Sequence, residues 1–451
     1  MQKNTRAKIE ITGLSHEGSG VGRIDGVAVF VPRTAPGDTA VVKLTRVLAS
    51  HAFGRLEEII TPSAHRVPDD CPAFARCGGC SLRHISYPAE LAAKASLVRE
   101  NFGKIAKLPL EWGEIIPSPK VERYRNKAVY PVRLVAGRVR TGFFAPRSHT
   151  LIPVDDCLLQ PVFFSDICRE ITDFCEVNAI PPYDETTHTG LLRNIYIRYA
   201  ETSSQTLIVL VINGQTLPGA KKLAARLVDI CPGEISFQIS RNCDRTNVIL
   251  GRQTRHVVGL PVIEDTISGV RIQLSPQSFY QVNRPAAELL YDTAAEYAAA
   301  TPGQTLLDLY CGVGAIGLSM AGSVDRLIGV ESVGQAVEDA VTNARINGFK
   351  SARFIRSTAG QAFGQLRGEG ILVDTIIVDP PRKGLDRETI EQVTVFSPGR
   401  IVYISCNIAT LARDCALFAD RGYLPVRGQA VDLFPRTAHT ECAVLLEKNS
   451  Q

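Results

Sequence analysis

No apolar run in this chain is long enough to cross a bilayer, so a membrane partner is not expected. Internal repeats and low-complexity segments are also absent, which sets aside repeat architectures and disordered tails. Charge of neither sign dominates. The 50 Lys and Arg against 46 Asp and Glu leave +4, too little by itself to argue for nucleic acid. The N-terminal Met-Gln-Lys-Asn-Thr-Arg leads into a strand-like pattern, so no signal peptide is expected and a cytoplasmic protein is.

What remains is ordinary in bulk and specific in detail. A hydrophobic share of 45% and a charged share of 21% over 451 residues fit a soluble chain of two to four domains. Twelve cysteines in a cytosolic chain read as metal, catalytic or buried thiols rather than disulfides. Residues 1–60 predict a small β-barrel, from the alternation in Lys8–Gly13, the strands Val27–Val31 and Thr39–Leu44, and the turn Pro36-Gly37-Asp38. Residues 61–262 predict a central α+β unit, with a helix over Pro88–Phe102. Residues 263–451 alternate helix, strand and Gly-rich turn, the pattern of a doubly wound, mainly parallel sheet.

Three motifs in the last unit carry chemistry. Thr305–Tyr310 is a strand, and Cys311–Gly317 is a turn whose Gly312, Gly314 and Gly317 let a ligand approach the backbone. Glu331, ending the next strand, can bind a ribose diol; NAD and S-adenosylmethionine both offer one. Asp379-Pro-Pro-Arg382 follows an apolar strand and fixes polar groups at the sheet's edge. The run Ile401–Ser405 reads as a buried strand that delivers the thiol of Cys406 to that same edge, a candidate nucleophile. A carboxylate arriving late, Glu441, can handle protons. A lone Cys406 would more often be a small buried hydrophobe; its flanking motifs reverse that reading.

Upstream, Cys71, Cys77, Cys80 and Cys157 could hold zinc or an iron–sulfur cluster, since both use four-cysteine sets. Between Val121 and Thr150 the cations Arg123, Arg125, Lys127 and Arg138 are interleaved with Tyr124, Tyr130, Phe143 and Phe144, a mixture suited to single-stranded RNA or to a solvated strand face. Arg382 adds a cation beside the candidate nucleophile.

Taken together, Asp379–Arg382, Ser405–Asn407 with Ala409–Asp414, and Phe434-Pro435 with His439 and Glu441 resemble the signature of the S-adenosylmethionine-dependent RNA uracil-5 methyltransferases. The resemblance implies a TRAM domain, an oligonucleotide-binding barrel, at the N-terminus and a Rossmann-like methyltransferase domain at the C-terminus. It implies Cys406 as nucleophile and Glu441 as general base, with Gln281, Tyr310, Glu331 and Asp379 around S-adenosylmethionine. It also implies a [4Fe–4S] cluster on the four cysteines and a monomer acting on 23S ribosomal RNA, with transfer RNA as the same-class alternative. An RNA-binding protein with an inactive methyltransferase domain is the alternative of a different class, and an NAD dehydrogenase is more distant. One departure stands out. Members often carry an acid near the adenine after the third strand, where this chain has Arg356-Ser-Thr-Ala359.

Overall fold

Short β-branched strands joined by glycine turns close the N-terminal segment on itself. The computed structural model describes residues 1–449 of the chain. In it the strands Arg6–Leu14, Gly20–Ile24, Val27–Val31, Thr39–Val47 and His51–Thr61 form a closed barrel. Alternate positions point inward, so Ile9, Ile11, Val29, Val31, Val42 and Leu44 fill the interior. Gly37, at φ +92°, makes the turn before Asp38, whose carboxylate accepts from the amides of Ala35 and Ser63 and from Arg66. That buried carboxylate ties the barrel to the chain that follows it.

The middle of the chain builds a seven-stranded mixed sheet. Its order is Gln253–Gly259, Ile235–Arg241, Gln205–Ile212, Leu192–Ala200, Lys127–Val135, Arg138–Phe144 and Leu151–Pro153. Helices Val162–Val177 and Ala220–Val228 pack on it through Phe164, Ile171, Leu223 and Leu227.

The C-terminal sheet has eight strands. Ala352–Arg356, Arg326–Glu331, Thr305–Leu309, Thr375–Val378 and Arg400–Ser405 run parallel in that order, and helices connect them. These strands are apolar on both faces because helices cover both. Glu441–Lys448 and Tyr423–Val431 then join antiparallel, and Glu111–Trp112 adds a short edge. The barrel and the mainly parallel sheet expected from sequence are both present. Helix Tyr87–Ala106, from upstream of the central sheet, also packs here. Its Val98 and Phe102 enter the core beneath the C-terminal sheet, close to helix Ile408–Ala419. Among the described residues no helix is long and apolar enough to cross a membrane.

Candidate active site and substrate cleft

Parallel strands end together, and here their ends gather the chemistry. Asp379 follows Thr375–Val378, Cys406 follows Arg400–Ser405, and Glu441 opens the antiparallel strand beside it. Ser405 pairs with Cys442 at the end of the ladder, which brings Cys406 and Glu441, the residues just beyond that pair, to the same edge. Burial pushes the Cys406 thiol up and Glu441 adds to that, while Arg382, by charge and by hydrogen bond, favours the thiolate. Burial, reinforced by Asp379, raises the Glu441 carboxyl well above its ordinary range, and Arg382 opposes the shift. Burial alone pushes Asp379 up to about 7. The thiol and the Glu441 carboxyl thus share one guanidinium, with a second acid, Asp379, beside them.

The signature residues around Cys406 are structural braces. Asn407 caps the helix Ile408–Ala419 by accepting from the Ala409 amide at 3.1 Å, while its Nδ2 donates to the Arg382 carbonyl at 3.0 Å. Thr410 donates to the same carbonyl. Arg413 donates to the carbonyls of Lys383 and Leu385, and the buried Asp414 accepts from the Leu385 amide and the Tyr403 hydroxyl. The loop carrying Arg382 is therefore held by the helix that begins two residues after Cys406. That helix's N-terminal dipole also favours an anion near the thiol.

The glycine-rich turn lies next to this edge. Gly312 (φ +55°) and Gly314 (φ +83°) take left-handed conformations, and Tyr310 does so too, at φ +64°. Glu331 ends its strand with one carboxylate oxygen on the Gly312 amide (3.3 Å) and the other on the Val333 amide (2.8 Å). A small hollow runs from this turn past Tyr280, Gln281 and Tyr310 to Asp379. Buried Asp308, raised to about 7 by burial, accepts from the Gly317 amide and stiffens the turn. A Cβ at Gly317 would lie 2.8 Å from that carboxylate. Arg356, where an acid is common in the family, pairs across strands with Glu331, and Thr358 caps the helix Ala359–Gly368.

A wider cleft of about 520 Å³ opens on the other side of Cys406. Its walls include His16 and Glu17 of the barrel, Gly78–Ser81 of the cysteine segment, Lys94, Leu97 and Asn101 of the helix Tyr87–Ala106, and Arg125, Arg382 and His439 around the thiol. What holds these walls together is a buried network that no motif announces. Lys94, fully buried, donates to Glu90 and Asp432, both at 2.7 Å, and to the Phe434 carbonyl. Tyr87 donates to the other Asp432 oxygen. The Arg436 amide bonds Glu90, and its carbonyl accepts from the amides of Ser81 and Leu82. The segment leading to Glu441 is thus anchored to a helix 338 residues upstream of Asp432. No local pattern could have signalled a network of that sequence separation.

Cys71, Cys77, Cys80 and Cys157 are half-buried and free of disulfides. Each of the six pairs among them is close enough for the charge of one thiolate to penalise another. Burial, with the other three thiols, pushes Cys80 up to about 12. Among the described residues, no three His, Cys, Asp or Glu side chains are gathered tightly enough for a single metal ion.

The basic residues divide. Arg125 and Arg382 line the cleft. Arg125 also lies 6.0 Å from the centre of the Phe434 ring. Arg123 is bound to Asp156 at both nitrogens and to the carbonyls of Cys157 and Gln160. Burial and neighbouring guanidinium groups push Lys127 down to about 8. Arg138 is exposed and paired with Glu176. These last three do not border the cleft.

The family model described as tRNA (Uracil-5-)-methyltransferase matches residues 186–449, and that of the TRAM domain matches residues 2–56. An RNA methyltransferase of Listeria monocytogenes, described as uncharacterized, is 38% identical over 450 residues, covering 100% of this chain and 99% of the relative. One from Halalkalibacterium halodurans is also 38% identical, covering 99% and 98%. The solved Pyrococcus abyssi tRNA (uracil-54, C5)-methyltransferase, in complex with S-adenosyl-L-homocysteine, superposes with a TM-score of 0.78 at 25% identity, over 98% of this chain and 100% of its own.

Proposed function

Because this chain belongs to the tRNA (uracil-5-)-methyltransferase family and is an S-adenosylmethionine-dependent RNA methyltransferase, we propose that it methylates C5 of a uridine in ribosomal RNA through a covalent adduct on Cys406. The observation that carries the reading is the gathering of Cys406 and Glu441 just beyond the Ser405–Cys442 pair, close enough to feel each other's charge, with Arg382 acting on both.

S-adenosylmethionine, when bound, supplies an electrophilic methyl group. The hollow beside Gly312 and Gly314 fits it. The turn brings bare backbone to the ligand, Glu331 stands ready for hydroxyl groups, and Gln281, Tyr310 and Asp379 border the space. This chain's own residues then act on the uracil. Sγ of Cys406 forms a bond to C6, and the C5–C6 π pair moves toward C5 and O4. Arg382 stabilises the thiolate before attack. C5 takes the methyl group. Glu441 accepts the C5 proton, the C5–C6 double bond re-forms, and the C6–S bond breaks to return the thiolate. A carboxylate with raised proton affinity is a stronger base, which suits this step.

Arg125 and Arg382 make the cleft cationic for RNA, and the barrel's His16 and Glu17 extend it toward the N-terminal unit. The four cysteines would hold a [4Fe–4S] cluster. A single zinc ion, with Zn–S of about 2.3 Å, needs sulfurs tightly gathered. A four-iron cube instead spreads its four thiolates over separate corners, and these four thiols sense one another's charge. Transfer RNA is the second reading. The Pyrococcus abyssi enzyme, which matches over nearly this whole chain, barrel included, is a tRNA methyltransferase, so the barrel by itself does not separate the two substrates.

Mass spectrometry of ribosomal and transfer RNA from cells lacking the protein tests the substrate. Loss of one 5-methyluridine from large-subunit RNA supports the proposal, and loss confined to transfer RNA refutes it in favour of the second reading. RNA containing 5-fluorouridine tests the chemistry, because fluorine cannot leave C5 as a cation. Wild-type protein should form an adduct that survives denaturing gels, and Cys406→Ala should form none. An adduct on Cys406→Ala would move the nucleophile to another thiol.

A further inference from the structure

A second concavity, of about 140 Å³, lies on the central sheet away from the cofactor hollow. Its walls are flat. The rings of Phe144 and His149 stack at 5.1 Å and 10°. Arg133 lies 5.6 Å from the Phe144 ring centre, and Arg193 lies 4.4 Å over Tyr183. Glu185 braces one side by accepting from Arg133 and bonding His149 Nδ1 at 2.7 Å. Arg193 is only 7% exposed and spends its nitrogens on the carbonyls of Asn242, Asp244 and Thr246, which pins the loop that forms the remaining wall.

The commitments of these guanidinium groups decide the ligand. Arg193 has given its donors to backbone, and Arg133 is engaged by Glu185 and the Val132 carbonyl. Their edges are thus taken up, which disfavours a phosphate, and flat aromatic and guanidinium faces build the walls. Faces of that kind around a space the size of one base suit an unstacked nucleobase. The location fits as well. The Phe144 carbonyl accepts from the Gly78 amide at 3.2 Å, and Gly78 lines the catalytic cleft. The cysteine segment that walls the cleft is therefore bonded to a residue that walls the pocket.

We propose that this pocket holds an unpaired nucleobase of the substrate RNA, from a nucleotide flanking the methylated uridine. The proposal rests on the RNA-binding reading above and adds a second point of recognition to it. In the experiment, the whole chain binds a fluorescent oligoadenylate of roughly 12 nucleotides, within the usual span of single-strand sites. His149→Ala and Asn247→Ala, both at exposed positions, should weaken binding about tenfold and about threefold, against roughly five- to hundredfold for one fully stacked base. Their affinity for S-adenosyl-L-homocysteine should not change, which shows the variants are folded. In parallel, the same oligomer carrying 5-iodouridine is irradiated on wild-type protein. Cross-links at Phe144, His149 or Tyr183 are expected. Unaltered affinity in both variants, or cross-links confined to the walls around Cys406, would overturn the pocket assignment. Competition by AMP as strong as by the oligomer would mark a free-nucleotide site and overturn it too. A wild-type protein that binds no oligomer would instead refute the RNA-binding reading itself.

Discussion

Replacing Lys94 with methionine should cost far more than the loss of a surface lysine. Lys94, Glu90 and Asp432 are all essentially without solvent access, and Lys94 is the ammonium between the two carboxylates. Methionine fills the volume but leaves two buried carboxyls facing one another. Breaking a buried pair in this way costs roughly 3–5 kcal/mol. For a unit the size of the C-terminal domain, that is a drop in Tm of roughly 6–20 °C. The loss should depend on pH. Burial and Asp432 raise the Glu90 carboxyl, while Lys94 pulls it down. Without Lys94 the Arg436 amide still pulls it down, against burial and Asp432. A carboxyl whose folded pKa lies above its unfolded value of about 4.3 costs stability once the pH exceeds that unfolded value, and the cost grows until the folded pKa is passed. The deficit of Lys94→Met should therefore be smaller near roughly pH 5 than near roughly pH 8. Adding Asp432→Asn removes one of the opposed charges and should recover part of the loss. Circular dichroism melts of wild type, single and double variants at both pH values provide the measurement. A deficit under about 1 kcal/mol, or one that is flat with pH, would refute the view that this network carries buried charge.

Glu441→Gln should still attack and methylate but fail to remove the C5 proton, so a methylated protein–RNA adduct should accumulate on denaturing gels; quantitative turnover by this variant would exclude Glu441 as the base. Anaerobically purified wild type should contain about four irons per chain. Cys77→Ser should lose iron and stability together, and stoichiometric zinc in place of iron would sink the cluster. Arg125→Ala should weaken RNA binding and flatten its salt dependence, whereas Arg138→Ala, on an exposed pair with Glu176, should do so by a smaller factor. Filter binding across a salt series separates the two, and equal effects would mean that RNA reaches well beyond the cleft.

The parts of this molecule legible in its sequence are those written in short-range pattern. Strict alternation marked the barrel strands, and apolar runs ending in Asp379 and Cys406 marked the parallel edge, because strand ends in such a sheet face the ligand. The spacing of Gly312, Gly314 and Glu331 marked the left-handed glycine turn and the strand end bonded to it. The reason Asn407 and Asp414 occur where they do was not legible: one caps a helix while holding Arg382, and the other pins Leu385 through 29 residues of intervening chain. Counting cations also proved a blunt guide. Arg123 and Arg125 are two residues apart on a strand-rich segment, yet one is spent on Asp156 and the Cys157 loop while the other borders the cleft. Partners decide such roles, and partners are set by tertiary structure.

The pairing of Ser405 with Cys442 has a consequence for how this enzyme can change. The spacing of thiol and carboxyl follows from the strand register that ends at this pair, not from distant loops. The loop carrying His16 and Glu17 in the cleft wall can therefore be lengthened, shortened or exchanged to fit a new RNA without shifting the two strands, whereas 432–440 is tied to Glu90 and Lys94. A single residue inserted within Glu441–Lys448 would instead turn the carboxyl to the opposite face of the sheet. Reactivity and substrate choice are in this sense separable inheritances, one stored in strand register and the other in the loops around it.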